Sequence, residues 1–106
     1  MENTTRLDMI PQKPILKTVA ATATLAAYET AILVVNGAYT ITLPKLAEAA
    51  GRIYSFSQPG SGTSDVTITD AGDDSVFTDQ IIDAQNENVI LYCDGIRWFA
   101  LAGQTS

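Results

Sequence analysis

Five acidic side chains gather in one stretch of the chain: Asp65, Asp70, Asp73, Asp74 and Asp79. Carboxylates so close together could hold Ca²⁺, which takes six to eight oxygens at fixed positions. A calcium loop between helices needs acids at alternating places and glycine sixth. Counted from Asp70, the sixth place is Ser75, and the flanks read as strands. The expectation is a solvated turn in which Asp and Gly supply backbone geometry, with no metal and no cofactor. Gly60-Ser61-Gly62 could be taken for a phosphate cradle, but such cradles need a helix amino terminus behind them, and here a strand-like run follows. Cys93, the single thiol, lies in an apolar run and reads as buried and inert. Trp98 with Tyr54 or Tyr92 could form a sugar-stacking platform, although a lone Trp in a β-hairpin is more often core. The clustered acids also raise glycoside cleavage by a carboxylate pair, yet none sits at a strand end beside an aromatic subsite.

The chain contains no histidine. The commonest general base and metal ligand is therefore missing, and with it Ser–His or Cys–His catalysis and zinc sites built on this chain alone. The expectation is that the protein is not an enzyme. Twelve acids against six bases give a net charge of −6, which argues against nucleic acid as a partner. The imbalance is uneven: residues 1–52 carry five bases and four acids, whereas residues 53–106 carry Arg97 and eight acids. The longest apolar run, Ala31 to Val35, is strand-sized, far below the ~20 residues of a membrane-spanning helix. No membrane partner is expected, and a signal peptide's apolar core is missing from MENTTRLDMIPQKP.

The elements that must position these residues read as β-strands. Residues 1–17 are different: Pro11 and Pro14 fix two φ angles and remove two donors, which suits neither a helix nor a central strand. An extended amino-terminal arm is expected there, with Leu7, Met9, Ile10, Ile15 and Leu16 lying on some surface, and with Arg6, Lys13 and Lys17 free to meet acidic groups of a partner. Residues 18–25 form a candidate edge strand. TAILVV and AYTITL, joined by Asn36-Gly37, predict a hairpin with a two-residue turn, since both turn positions need φ > 0. Pro44 and Gly51 bracket KLAEAA as one short helical turn. RIYSFS, DVTIT, the pair Ile81-Ile82, and NVILYC with IRWFAL around Asp94-Gly95 complete the strands. No internal repeat is visible. The expected fold is all-β: an antiparallel β-sandwich or jelly-roll-like domain of residues 18–106, with one short helical turn, behind the arm of residues 1–17.

Four pieces of this domain resemble, in order, a β module of bacteriophage virion structural proteins, of the kind repeated in tail fibres. They are YTITLP at 39–44, AAGRIYSF at 49–56, DVTITDAGDD at 65–74 and VILYCDGIRWF at 89–99. The resemblance implies a phage-type β-sandwich used for assembly, commonly as a homotrimer, with no catalytic residues to carry over. As a complete small β protein with an extended arm, the chain looks like a head decoration, or cement, protein. Such a protein binds the outer surface of the major capsid protein and bridges neighbouring capsomers. Its place would be the virion, assembled in the host bacterial cytoplasm. A tail-associated host-recognition module, with exposed aromatics on a surface glycan, is the alternative.

Overall fold

A computed structural model describes residues 16–105. Nine strands and one helical turn follow each other along the chain. They are β1 (Leu16–Val19), β2 (Ala23–Thr24), β3 (Ala31–Val34), β4 (Tyr39–Thr42), α1 (Leu46–Ala49), β5 (Ile53–Ser57), β6 (Val66–Thr69), β7 (Gln80–Ile82), β8 (Asn88–Cys93) and β9 (Trp98–Gln104). Two sheets result, a five-stranded one in the order β1-β3-β5-β8-β9 and a four-stranded one in the order β2-β4-β6-β7. The all-β expectation holds, and with it the short helical turn. The antiparallel expectation is corrected. Up to β6, successive strands alternate between the sheets, so strands that neighbour each other within a sheet run parallel: β1 with β3, β3 with β5, β2 with β4, β4 with β6. The carboxyl-terminal part then closes each sheet antiparallel, with β7 on β6, and β8 and β9 beyond β5.

This path explains where the hairpin expectation fails. Asn36-Gly37 does not join paired strands, because β3 and β4 lie in different sheets. Neither residue has the positive φ that a two-residue hairpin turn requires. Tyr39 competes for the turn: its hydroxyl sits within hydrogen-bond distance of the carbonyls of Val19 (2.8 Å) and Val35, which share its one proton, tying the new strand to the end of β1. Its ring lies over Gly37, where a Cβ would come within 2.9 Å of it. Asn36 is used elsewhere, accepting the Ser64 N–H through Oδ1 at 3.1 Å. Residues 18–25 are likewise split, with a corner at 20–22 passing the chain from β1 to β2. β8 and β9 do form a hairpin around Asp94-Gly95, but the expected two-residue turn is corrected to a four-residue loop, 94–97, in which Asp94 lacks the positive φ that such a turn needs. Gly95 sits at φ +95°, and Asp94 Oδ1 accepts the N–H groups of Ile96 (2.8 Å) and Arg97 (2.9 Å). Those two donors hold the Asp94 carboxyl below its usual range.

Period-two alternation fills the core. In β5, Tyr54 and Phe56 are buried while Ile53, Ser55 and Ser57 are exposed; in β8, Val89, Leu91 and Cys93 are buried. The four-stranded sheet adds Ile41, Val66, Ile68 and Ile82 to the same cluster, and α1 adds Leu46 and Ala49. α1 is short because Pro44 precedes it and Gly51, at φ +81°, ends it. The Asp73 carboxylate accepts the Leu46 N–H at 2.9 Å, satisfying one of the donors that a helix start leaves open.

Near the end of β9 the ladder slips by one residue opposite Ile90 and Leu91, and Gly103 follows at φ +142°. A Cβ at Gly103 would lie 2.5 Å from the Asn88 carbonyl oxygen and 2.6 Å from Val89 Cα, both backbone atoms that cannot swing aside. Gly103→Ala is therefore expected to destabilise the fold by about 2 kcal/mol or more, since strain at positive φ adds to the clash. Urea unfolding checks this, and an unchanged midpoint would mean that β9 does not approach β8 so closely.

Candidate interaction surfaces

The acids that might have gathered a cation are engaged with backbone donors. Asp70 Oδ2 accepts the N–H groups of Gly72 (3.0 Å) and Asp74 (2.9 Å), forming the turn. Asp73 is committed to α1. Asp74, buried, accepts the Val76 N–H through Oδ1 at 3.0 Å and the Trp98 N–H through Oδ2 at 2.7 Å, fastening the turn to β9. Asp65 and Asp79 remain exposed. Among the described residues no group of three or more Cys, Asp or Glu is arranged to hold a metal ion. The Cys93 thiol is buried against α1, and desolvation pushes its pKa up, the opposite of what a nucleophile needs. One shallow cavity of about 210 Å³ lies beside β9, lined by Gln80, Val89 and residues 100–103 and 105, with no charged group. It falls below the ~300–1,000 Å³ of ordinary small-molecule sites.

The three aromatics of the sugar-platform reading do not share a surface. Tyr54 and Trp98 meet inside the core with ring centroids 5.3 Å apart and planes at 68°, an edge-to-face pair. The Tyr54 hydroxyl donates to the Ala27 carbonyl at 2.6 Å, and desolvation pushes its pKa up to about 12. Tyr92 points the other way, out from β8, between Ile53 and Phe99. Stacking a sugar on Tyr54 and Trp98 would require opening the core.

Of the proposed arm contacts, Arg6, Leu7, Met9, Ile10, Lys13 and Ile15 lie outside the described residues. Leu16 and Lys17, assigned to the arm by sequence, are instead the first residues of β1, paired with Ala31 and Ile32. Leu16 is 62% exposed. Lys17 is already engaged within its own domain, 3.0 Å from Glu29. Glu29 also accepts the Ala26 N–H at 2.7 Å, and that bond, then the lysine, holds its carboxyl below the usual range despite partial desolvation.

The surface that sequence reading overlooked is the outer face of the five-stranded sheet. Register aligns its outward side chains in three rows across the strands. One row is Ile53, Tyr92 and Phe99. The next is Leu16, Ala31, Ser55, Ile90 and Ala102, and the third is Thr18, Leu33, Ser57 and Asn88. None of these positions carries a charge, although the described residues include ten acids and four bases. Ile53 is 53% and Phe99 37% exposed. Arg97 borders the face, its guanidinium carbon 5.0 Å from the centre of the Phe99 ring. The outer face of the other sheet is mostly threonine: Thr24, Thr42 and Thr69 stand in one register row, and Thr40 and Thr67 in another with Ile81. A sequence signal for the apolar face existed in RIYSFS, whose alternation sends Ile53, Ser55 and Ser57 away from the core. What it could not reveal was that β8 and β9 would lie beside β5.

Among the described residues no helix is long and apolar enough to cross a membrane. No protein-family model matches the chain, and no curated protein matches it.

Proposed function

We propose that this chain is a bacteriophage head decoration protein. In this reading a two-layer, sandwich-like β domain assembles as a homotrimer on the outer surface of the major capsid protein. Residues 1–15 of each copy supply the contact that ties neighbouring capsomers together. The observation that carries the proposal is where the amino-terminal segment joins the domain. It meets the fold at Leu16, the first residue of an edge strand, beside a sheet face without charge. A segment joined at a sheet rim can bind away from its own core, and several such segments on one oligomer gain avidity from each other. Further support comes from the four resembling pieces. They fall on β4, on the last residue of α1 through β5, on β6 with its acidic turn, and on the β8–β9 hairpin, which together supply most of the core.

The experiment is the copy number per particle, measured by quantitative mass spectrometry of purified virions against the capsid protein. A simple ratio set by shell symmetry is the expected result. A handful of copies would move the protein to the tail, and absence from particles would end both virion readings. The arm is tested separately by deleting residues 1–15, a cut that spares β1. Retention on purified capsids should fall at least tenfold while the β-sheet circular dichroism stays unchanged. Equal retention would remove the arm from the contact.

A further inference from the structure

We infer that Asn36 is a self-modifying site, at which the folded chain converts its own carboxamide to a carboxylate while the Ser64 N–H activates the carbonyl. The inference needs nothing from the virion reading. The nucleophile is the backbone nitrogen of Gly37. Its attack on Asn36 Cγ closes a five-membered ring: the N–Cγ bond forms, the carboxamide C–N bond breaks, and ammonia departs with the Gly37 amide proton. Water then opens this succinimide at either carbonyl. One product is Asp; the other is an isomer whose main chain runs through the former side-chain carbon. Both reacting groups belong to neighbouring residues, so no encounter has to be arranged.

Three observations place the reaction here. Asn36 is the one asparagine followed by glycine in the chain, and the fold requires that glycine, since a Cβ at residue 37 would meet the Tyr39 ring at 2.9 Å. The nitrogen that must attack therefore carries no side chain beside it. Residues 36–38 form a bend outside both sheets, and among the described residues no group accepts the Gly37 N–H. Asn36 is exposed, so water and base reach it. The third observation concerns the oxygen. Ser64, in the loop of residues 58–65, donates its N–H to Asn36 Oδ1 at 3.1 Å. Negative charge develops on that oxygen as the nitrogen attacks, and a donor already in place stabilises it. The loop comes this close because residue 62 is glycine; a Cβ there would collide with the Asn36 carboxamide.

The other candidate positions lack this combination. Asn86 and Asn88 precede Glu87 and Val89, whose side chains crowd the nitrogen; the Glu87 N–H is donated to Ala84, and Val89 lies within the β5–β8 ladder. At Asp94-Gly95 the Gly95 N–H is donated to Cys93 Sγ, and the N–H groups of Arg97 and Ile96 keep the Asp94 carboxyl ionised, a poor electrophile.

Peptide mass spectrometry of the full chain, aged in mildly alkaline buffer with and without urea, tests the inference. Residue 36 is expected to gain the mass of an amide-to-acid exchange at least tenfold faster than Asn86 or Asn88, and at least as fast in the folded chain as in urea. Conversion no faster than at the other two asparagines overturns the inference. So does a folded chain that converts more slowly than the same chain in urea, because the fold would then shield the site. Ser64→Pro deletes the donor and should slow the folded chain at least fivefold while leaving the rate in urea unchanged. An unchanged folded rate in that variant overturns the activation by Ser64. Should Ser64→Pro fail to fold, the comparison of folded and urea-treated wild type decides alone.

Discussion

Tyr54→Ala is expected to remove about 3–5 kcal/mol of stability. The ring is fully buried in β5, packs edge-to-face against Trp98 of β9, and donates its hydroxyl to Ala27 in the connection between β2 and β3. Three separate segments therefore lose a partner at once. With a domain stability of about 5–15 kcal/mol, the variant would be mostly unfolded if the wild type lies at the low end. Tyr54→Phe separates the contributions. It keeps the ring and deletes one hydrogen bond, so its cost should be near 1 kcal/mol. Urea titration of both variants is the check. A Tyr54→Ala loss below about 1 kcal/mol would mean that the ring is not part of the core and would reopen the sugar-platform reading.

The second large effect belongs to a carboxylate. Asp74 is one of two buried polar or charged residues among those described, and its two oxygens accept the backbone N–H groups of Val76 and Trp98. Asp74→Ala leaves both donors without a partner, and the Trp98 N–H has no route to water. Hydrogen bonds to a charged acceptor contribute about 1.5–3 kcal/mol each, and an orphaned buried donor keeps its full desolvation cost. A loss of about 3 kcal/mol is expected, or a melting temperature lower by roughly 10–20 °C for a domain of this size. Asp74→Asn offers one acceptor and one amide, so it can serve Trp98 but confronts Val76 with a second donor. Its loss should fall between wild type and alanine. Equal stability of all three proteins would show that the acidic turn is not fastened to β9.

Much of this fold was legible in the sequence. Strand positions at Ala31–Val34, Tyr39–Thr42, Ile53–Ser57, Val66–Thr69 and Asn88–Cys93 follow from alternation and from β-branched runs, and Pro44 and Gly51 bracket the helical turn. Partnership between strands was not legible. Asn36-Gly37 carries the strongest local hairpin signal in the chain, yet a turn of that kind is decided by whether the next strand gains more from its neighbour or from the opposite sheet. Here Tyr39 settles the matter through the Val19 and Val35 carbonyls, a contact twenty residues back along the chain for Val19. The acidic turn was correctly expected to serve backbone geometry. That Asp74 is buried and reaches Trp98 depends on a separation of 24 residues that no local pattern encodes. The apolar face escaped notice for the same reason. Each strand contributes only two or three outward residues, and they become a surface only when β1, β3, β5, β8 and β9 are set side by side.

The alternation of strands between the two sheets also governs the order in which the molecule can come into being. No sheet can grow outward from a local nucleus across β1 to β6, because each parallel pairing requires an intervening passage through the opposite layer. Partners such as Leu16 with Ala31 and Tyr39 with Val66 must be brought together across a long loop before any ladder rewards them, and topologies dominated by such distant pairing fold in about milliseconds to seconds rather than microseconds. The core meanwhile stays open on the side that β8 and β9 will cover. Tyr54, at the middle of the sequence, waits for Trp98 from the last strand. Until β8 and β9 arrive, the inward-facing apolar side chains of β5 lie open to other chains, so the refolding yield is expected to fall as protein concentration rises.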